Sequence, residues 1–471
     1  MKLLLSLILA TPTIHASMRG SRSYAEEAMV SAGMVTPSSS SRDGSYTTDN
    51  DDDVHLCGCS STETILDWKK LGGDHPLLIY GEDGQDQLGS GENNGNGVLV
   101  SSNTGRVAVS SRRHTSRRHG KTAGSVAIYD YDVCTESYEL VGDVLYGAHD
   151  GEYFGFSFDL ATTSSHVAIG AIRYLGDKGS YQGVARIFQL YDSIYPTRWQ
   201  QVGNELHGDD LLDHFGHSIA LSQSGQTVAV GAIQHFGTNN NRGFPGYVKV
   251  FRLAQNGDWE SLGQKLMGEE DGDKFGNCIA MSASGNLIAV SAPEAKTRAG
   301  FVKVFGFDGS HWHQVGDTIV GPEPHDSLGA SLDISENGKV LAIGAPLTGL
   351  RGAVYIYRLN IQTHHWGLVG ESIMGDEDHD QFGSSVSIST DGRRIAIGAS
   401  HAGTDASGQV KVFDYTDKKW QQVGSTLTSS QPEAHFGSSV SLSVDRLVAS
   451  APFADSPTAT HAGVVQTWEL R

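Results

Sequence analysis

Carboxylates recur in this chain at one fixed place, two residues before a Phe-Gly or Leu-Gly pair: Asp86, Glu152, Asp213, Asp273, Asp326 and Asp380. A seventh pair, Phe436-Gly437, has Ala434 there instead. Acids so placed can do two things. Each can cap the backbone N–H groups of a turn, or together they can form a ring of negative charge that draws cations or a basic partner. The flanking loops are acidic as well, as in Glu269–Asp273 and Asp376–Asp380. Asp213, Asp273 and Asp380 are therefore candidates for partner contact, and Asp376, Asp378 and Asp380 are the alternative set for a hard cation. Against them stands a basic run, Arg112–Lys121, with Arg112, Arg113, Arg117 and Arg118 on a chain of net charge -20. It can pair with acidic neighbours, bind an anionic polymer or sulfated glycan, or serve as a dibasic processing site.

Nucleophilic and metal-dependent hydrolysis find no motif. There is no Gly-x-Ser-x-Gly elbow and no His-Glu-x-x-His. Ser389-Thr390-Asp391-Gly392 approaches the Ser-x-Asp-x-Gly-x-Thr-Trp turn of sialidases, but its glycine comes one residue early and the Trp is missing. The twenty histidines are scattered, mostly in loops. The reading is of a protein that is not an enzyme, and no cofactor is expected.

These groups must be positioned by something, and the chain repeats itself. Leu88-Gly89, Phe154-Gly155, Phe215-Gly216, Phe275-Gly276, Leu328-Gly329, Phe382-Gly383 and Phe436-Gly437 follow one another at 53 to 66 residues. Each opens a unit of the same parts. In the fourth, Gly276–Ser282 alternates as a strand, Ser282–Gly285 is a turn, and Leu287–Pro293, Gly300–Phe305 and Trp312–Gly316 are further strands. The runs are β-branched and aromatic, of strand length, and broken by Gly, Ser and Asp. The 58 glycines show no collagen period and fit many tight turns. Four antiparallel strands repeated seven times predict an all-β, seven-bladed β-propeller over residues 63–471. The last unit lacks a fourth strand, while an orphan one, Thr64–Gly72, stands at the front with Trp68 and Gly72 spaced as Trp199 and Gly203. It should complete the last blade and leave no open edge.

Phe382-Gly383 with Gly398-Ala399, and Leu328-Gly329 with Gly344-Ala345-Pro346, resemble the FG-GAP repeat of the integrin α-subunit N-terminal propeller. The resemblance covers residues 64 to 471 and implies a seven-bladed ring with a role in extracellular recognition. One departure matters. Calcium-holding repeats of that type carry several acids between the first two strands, because a hard cation needs converging oxygens. Here the turns Ser222–Gly225, Ser282–Gly285, Ser335–Gly338 and Ser389–Gly392 hold one acid at most, so a calcium function is not carried over.

The N-terminus reads as a signal peptide: Lys2, the apolar run Leu3–Ala10, and a cleavage site near Ala16. Residues 17–62 read as a disordered Ser/Thr/Asp-rich linker. The apolar run is too short to cross a bilayer, and no transmembrane segment or lipid-anchor tail is expected. The acidic balance argues against nucleic acid. Cys57, Cys59, Cys134 and Cys278 are too few for a disulfide scaffold and wrongly spaced for zinc. Cys278 falls on an inner strand as a buried thiol; Cys57 or Cys59 with Cys134 is the candidate disulfide, since Cys134 and the closing strand share one side of the ring. The expectation is a secreted or cell-surface binding module that recognises an extracellular protein or glycan through loops on one face. A matrix or cell-wall spacer is the alternative and a propeller glycosidase a further one.

Overall fold

In the computed structural model the described residues are 67–71, 78–81, 83–90, 97–115, 118–132, 134–163, 165–175, 181–192, 196–233 and 245–470. They form a seven-bladed β-propeller of seven antiparallel sheets. Blade 3 shows the plan: Ser218–Leu221, Thr227–Ala232, Tyr247–Leu253 and Trp259–Ser261 run from the axis outward. The outermost strand bends after Ser261 and resumes as Leu266–Met267 against the same third strand. That two-residue continuation recurs in the other blades and has no counterpart in the sequence reading. The first strands of all seven blades line a central channel.

The Phe-Gly signature is an inter-blade device. The phenylalanines Phe154, Phe215, Phe275, Phe382 and Phe436 are buried, each in a cluster drawing on two neighbouring blades. Gly216 has φ +88, a left-handed backbone that favours glycine. Its carbonyl lies against Gly170 of blade 2, where an added Cβ would come within 2.2 Å of it. Gly231 with Gly276, Gly344 with Gly383 and Gly398 with Gly437 repeat this approach. In four blades an inner-strand serine then donates to the next blade's Phe-Gly carbonyl: Ser157 to Gly216 at 2.7 Å, Ser218 to Gly276 at 2.6 Å, Ser331 to Gly383 at 2.8 Å, Ser385 to Gly437 at 2.7 Å. Further out, the Nε1–H groups of Trp199, Trp259, Trp312, Trp366 and Trp420 each donate to a carbonyl of the preceding blade at 2.8–2.9 Å.

The ring closes as expected. Trp68–Lys70 pairs antiparallel with Val464–Leu470, Trp68 opposite Leu470, and Leu78–Tyr80 pairs with the same strand. Trp68 seats on Gly424 of blade 6, as each blade's tryptophan seats on the glycine before it. Among the described residues no helix is long and apolar enough to cross a membrane. Cys134 is exposed in the turn before Ser137–Leu140 and Cys278 is buried; Cys57 and Cys59 lie outside the described residues.

Candidate functional site

The connections between blades and those between second and third strands share one face, the loop face. The recurrent acids lie there but are buried and turned inward. Asp213 Oδ2 accepts from the N–H groups of Asp209 and Asp210, both at 2.8 Å, and from the Tyr247 hydroxyl at 2.5 Å. Asp273, Asp326 and Asp380 accept from the N–H of the residue three before them at 2.9, 3.1 and 3.2 Å. Glu152 takes two such bonds, from Ala148 and His149. Burial holds Asp273, Asp326 and Asp380 above the ordinary carboxylate range. What these turns present to solvent are the acids beside the cap: Asp150, Asp210, Glu270, Asp271, Glu323 and Glu377.

Of the alternative cation set, Asp376 pairs with Lys411, Asp378 with Arg351, and Asp380 caps its own turn. The three do not converge, and no cluster of three metal-ligating side chains occurs among the described residues. Lys411 belongs to a pattern. Third-strand Lys249, Lys303 and Lys411 each reach the first acid of the neighbouring turn, Asp209, Glu269 and Asp376.

The basic run divides. Arg112 is buried with its guanidinium 5.5 Å from the Phe156 ring centre, so it sits toward the channel mouth. His114 is buried, with Nδ1 3.4 Å from Asp86. Arg113 is half-buried, Arg118 and Lys121 are exposed, and His119 stacks on Tyr146 at 4.4 Å. Arg117 lies outside the described residues. Two adjoining clefts open there, of about 260 and 710 Å³.

The channel holds two residues that the sequence reading passed over. Asp159 on blade 2 and Asp333 on blade 5 line a cavity of about 180 Å³, room for roughly six waters. Each carboxylate accepts from two backbone N–H groups: Asp159 from Leu160 at 2.8 Å and from Leu221 of the next blade at 2.6 Å, Asp333 from Ile334 and from Ile388 of the next blade, both at 2.8 Å. Ser387 and Ser441, at the matching place in blades 6 and 7, accept only the next blade's N–H, from Leu442 at 3.1 Å and Val100 at 2.9 Å. The blades preceding the two aspartates offer Leu99 and Ala280 there, which cannot accept, so each aspartate also takes its own following N–H. Burial is the main reason that Asp159 is pushed up to about 7 and Asp333 to about 6. At the far mouth the turns join in series: Gln223 N–H to Ala283 O, Ala283 N–H to Glu336 O, Glu336 N–H to Thr390 O. Ser102 reaches across to Glu336 at 3.3 Å.

The fold and site define a seven-bladed propeller with a charged loop face and two carboxylates in its channel. No family model matches the chain, and no curated protein matches it. Among solved structures, a protein from Bacteroides uniformis described as a candidate 6-phosphogluconolactonase is similar at 14% identity and a TM-score of 0.47, over 71% of this chain and 85% of that one.

Proposed function

We propose that this chain is a secreted or cell-surface recognition propeller, with repeats of the FG-GAP type, that binds an extracellular protein or glycan through its loop face. One observation carries the reading. The residues that repeat from blade to blade are taken up in holding the ring: the Phe-Gly pair, the inner-strand serine, the latching tryptophan and the buried turn acid. The longest connections that differ between blades and face solvent, such as Pro293–Gly300 against Pro346–Gly352, are on the loop face, and loops held by a rigid scaffold are where recognition resides. The test is capture of partners from cell-surface extract. Parent chain is compared with a variant carrying neutral residues at Asp210, Glu270, Asp271 and Glu377, and with one altered on the opposite face at Asp308 and Asp317. Loss of a partner from the first variant alone supports the reading. Equal retention by all three places recognition elsewhere, and retention by none leaves a matrix spacer.

A second reading, acid–base chemistry in the channel, is favoured by Asp159 and Asp333, whose surroundings push them up to about 7 and about 6, toward the range that suits general acids and bases. Hydrolysis of ester, lactone or glycoside probes that disappears in both Asp159→Ser and Asp333→Ser would establish it over recognition.

A further inference from the structure

On blades 3 to 6 the described cations of the loop face are matched, Lys296 excepted: Lys249 and Lys265 with Asp209, Lys274 and Arg298 with Glu294, Lys303 with Glu269, Arg351 with Asp378, Lys411 with Asp376. Blade 1 departs from this. Arg113, Arg118 and Lys121 make no ion pair among the described residues, although Asp83 and Asp150 line the same clefts. The Arg113 Nε is buried and has no hydrogen-bond partner there. Asp83 and Thr115 line both clefts, so the two are continuous.

Three unmatched cations call for an anion. The two carboxylates restrict which one. A polyphosphate or other bare polyanion has no donor for Asp83 and Asp150 and would be repelled by them. The wider field of a chain of net charge -20 opposes any long polyanion within about a Debye length, roughly 8–10 Å at physiological salt. A ligand that brings anionic groups and hydroxyl donors on one short frame satisfies every group in the clefts. Its sulfate or uronate oxygens take the guanidinium and ammonium donors, and its hydroxyls donate to the carboxylates.

Resting on the recognition reading above, we propose that these clefts over blade 1 bind an acidic saccharide, with Arg113, Arg118 and Lys121 holding its anionic groups and Asp83 and Asp150 its hydroxyls. The test uses the full chain with four probes: a sulfated hexasaccharide, an unsulfated uronate hexasaccharide, a neutral hexasaccharide, and inorganic sulfate. Titration calorimetry at two salt concentrations should show binding of one or both acidic saccharides, at least tenfold tighter than the neutral one and weakened by salt. Arg113→Gln/Arg118→Gln/Lys121→Gln should lose that binding at least tenfold, while Lys274→Gln leaves it unchanged. Asp83→Asn/Asp150→Asn decides between a built site and a merely positive patch. Under the proposal it weakens the acidic saccharide while inorganic sulfate binds more tightly; on a positive patch both tighten. Thermal melts equal to that of the parent confirm that the variants are folded. The proposal is overturned if no acidic saccharide binds, if the triple variant retains it, or if the double Asn variant binds saccharide more tightly. Partner capture that survives these losses would leave the recognition reading standing without this site.

Discussion

Replacing Asp159 with serine makes the ring's stability respond to pH in a way that can be calculated. A half-buried carboxylate lining the channel, whose folded value rises from 3.8 to about 7, favours folding in its protonated form. Its contribution is complete below the ordinary value and is lost as pH climbs through about 7. At about 1.4 kcal/mol per pH unit the whole span is about 4 kcal/mol. Serine already occupies the matching place at Ser387 and Ser441 and keeps the bond to the next blade, but Leu160 N–H loses its acceptor, at about 1–3 kcal/mol. At pH 4 Asp159→Ser should therefore melt below the parent, and by pH 8.5 the order should reverse. With an unfolding entropy of about 2.1 cal/mol/K per residue over roughly 400 residues, the difference in Tm should swing by about 5 °C. Asp333→Ser should show a smaller swing that levels off above about pH 6. The assay is scanning calorimetry of parent and variants across that range at one scan rate. Burial holds His166, His401 and His435 below their usual range, which acts oppositely on stability in part of this window, but their effect cancels in the difference. A Tm difference flat to within about 1 °C would refute the burial argument.

Gly170→Ala forces a methyl against the Gly216 carbonyl and should cost about 3 kcal/mol or more. Gly272→Ala, at φ +90 with open space around it, should cost about 1–2 kcal/mol from its backbone alone; thermal melts rank the two. Trp259→Phe removes a bond to the Val202 carbonyl and should cost about 1–2 kcal/mol more than Trp68→Phe, since Trp68 Nε1 has no hydrogen-bond partner among the described residues; denaturant midpoints check this. Deleting residues through Leu71 uncovers the Trp468–Leu470 end of the edge strand and should produce concentration-dependent self-association in light scattering.

The architecture was legible because it is periodic: seven Phe-Gly or Leu-Gly pairs, with Gly-Ala in four blades and Trp-x-x-Val-Gly in four, overdetermine the blades, and the missing fourth strand of the last one points back to Trp68. The broken outer strand was not legible, because two residues such as Leu266–Met267 carry no period. The acids divide within a single turn. Asp213 repeats, in six of the seven units, because it caps the turn, whereas Asp210, three residues earlier, varies and faces solvent. Asp159 escaped notice inside Phe156–Leu160, which reads as an ordinary buried strand. Its signal was the alignment of the repeats, where Asp159 and Asp333 stand against Ala220, Ala280, Ser387 and Ser441. The basic run was visible as charge, but only packing shows that Arg112 turns inward while Arg113, two residues past the buried Ser111, lines a cleft.

Pairing Trp68 with Leu470 sets a timetable. The chain is made from the front, so one half of the closing sheet leaves the ribosome roughly 20–80 s before the other, at about 5–20 residues per second. Until then the nascent protein is an open arc whose last blade is incomplete. Bringing the two ends together across roughly 400 residues costs about 5 kcal/mol of chain entropy. Six finished blades reduce that cost by holding the ends nearly in place. The seam is thus the last structure to form and the first that synthesis or refolding can fail to complete, so its substitutions should register in yield of closed monomer before they register in melting.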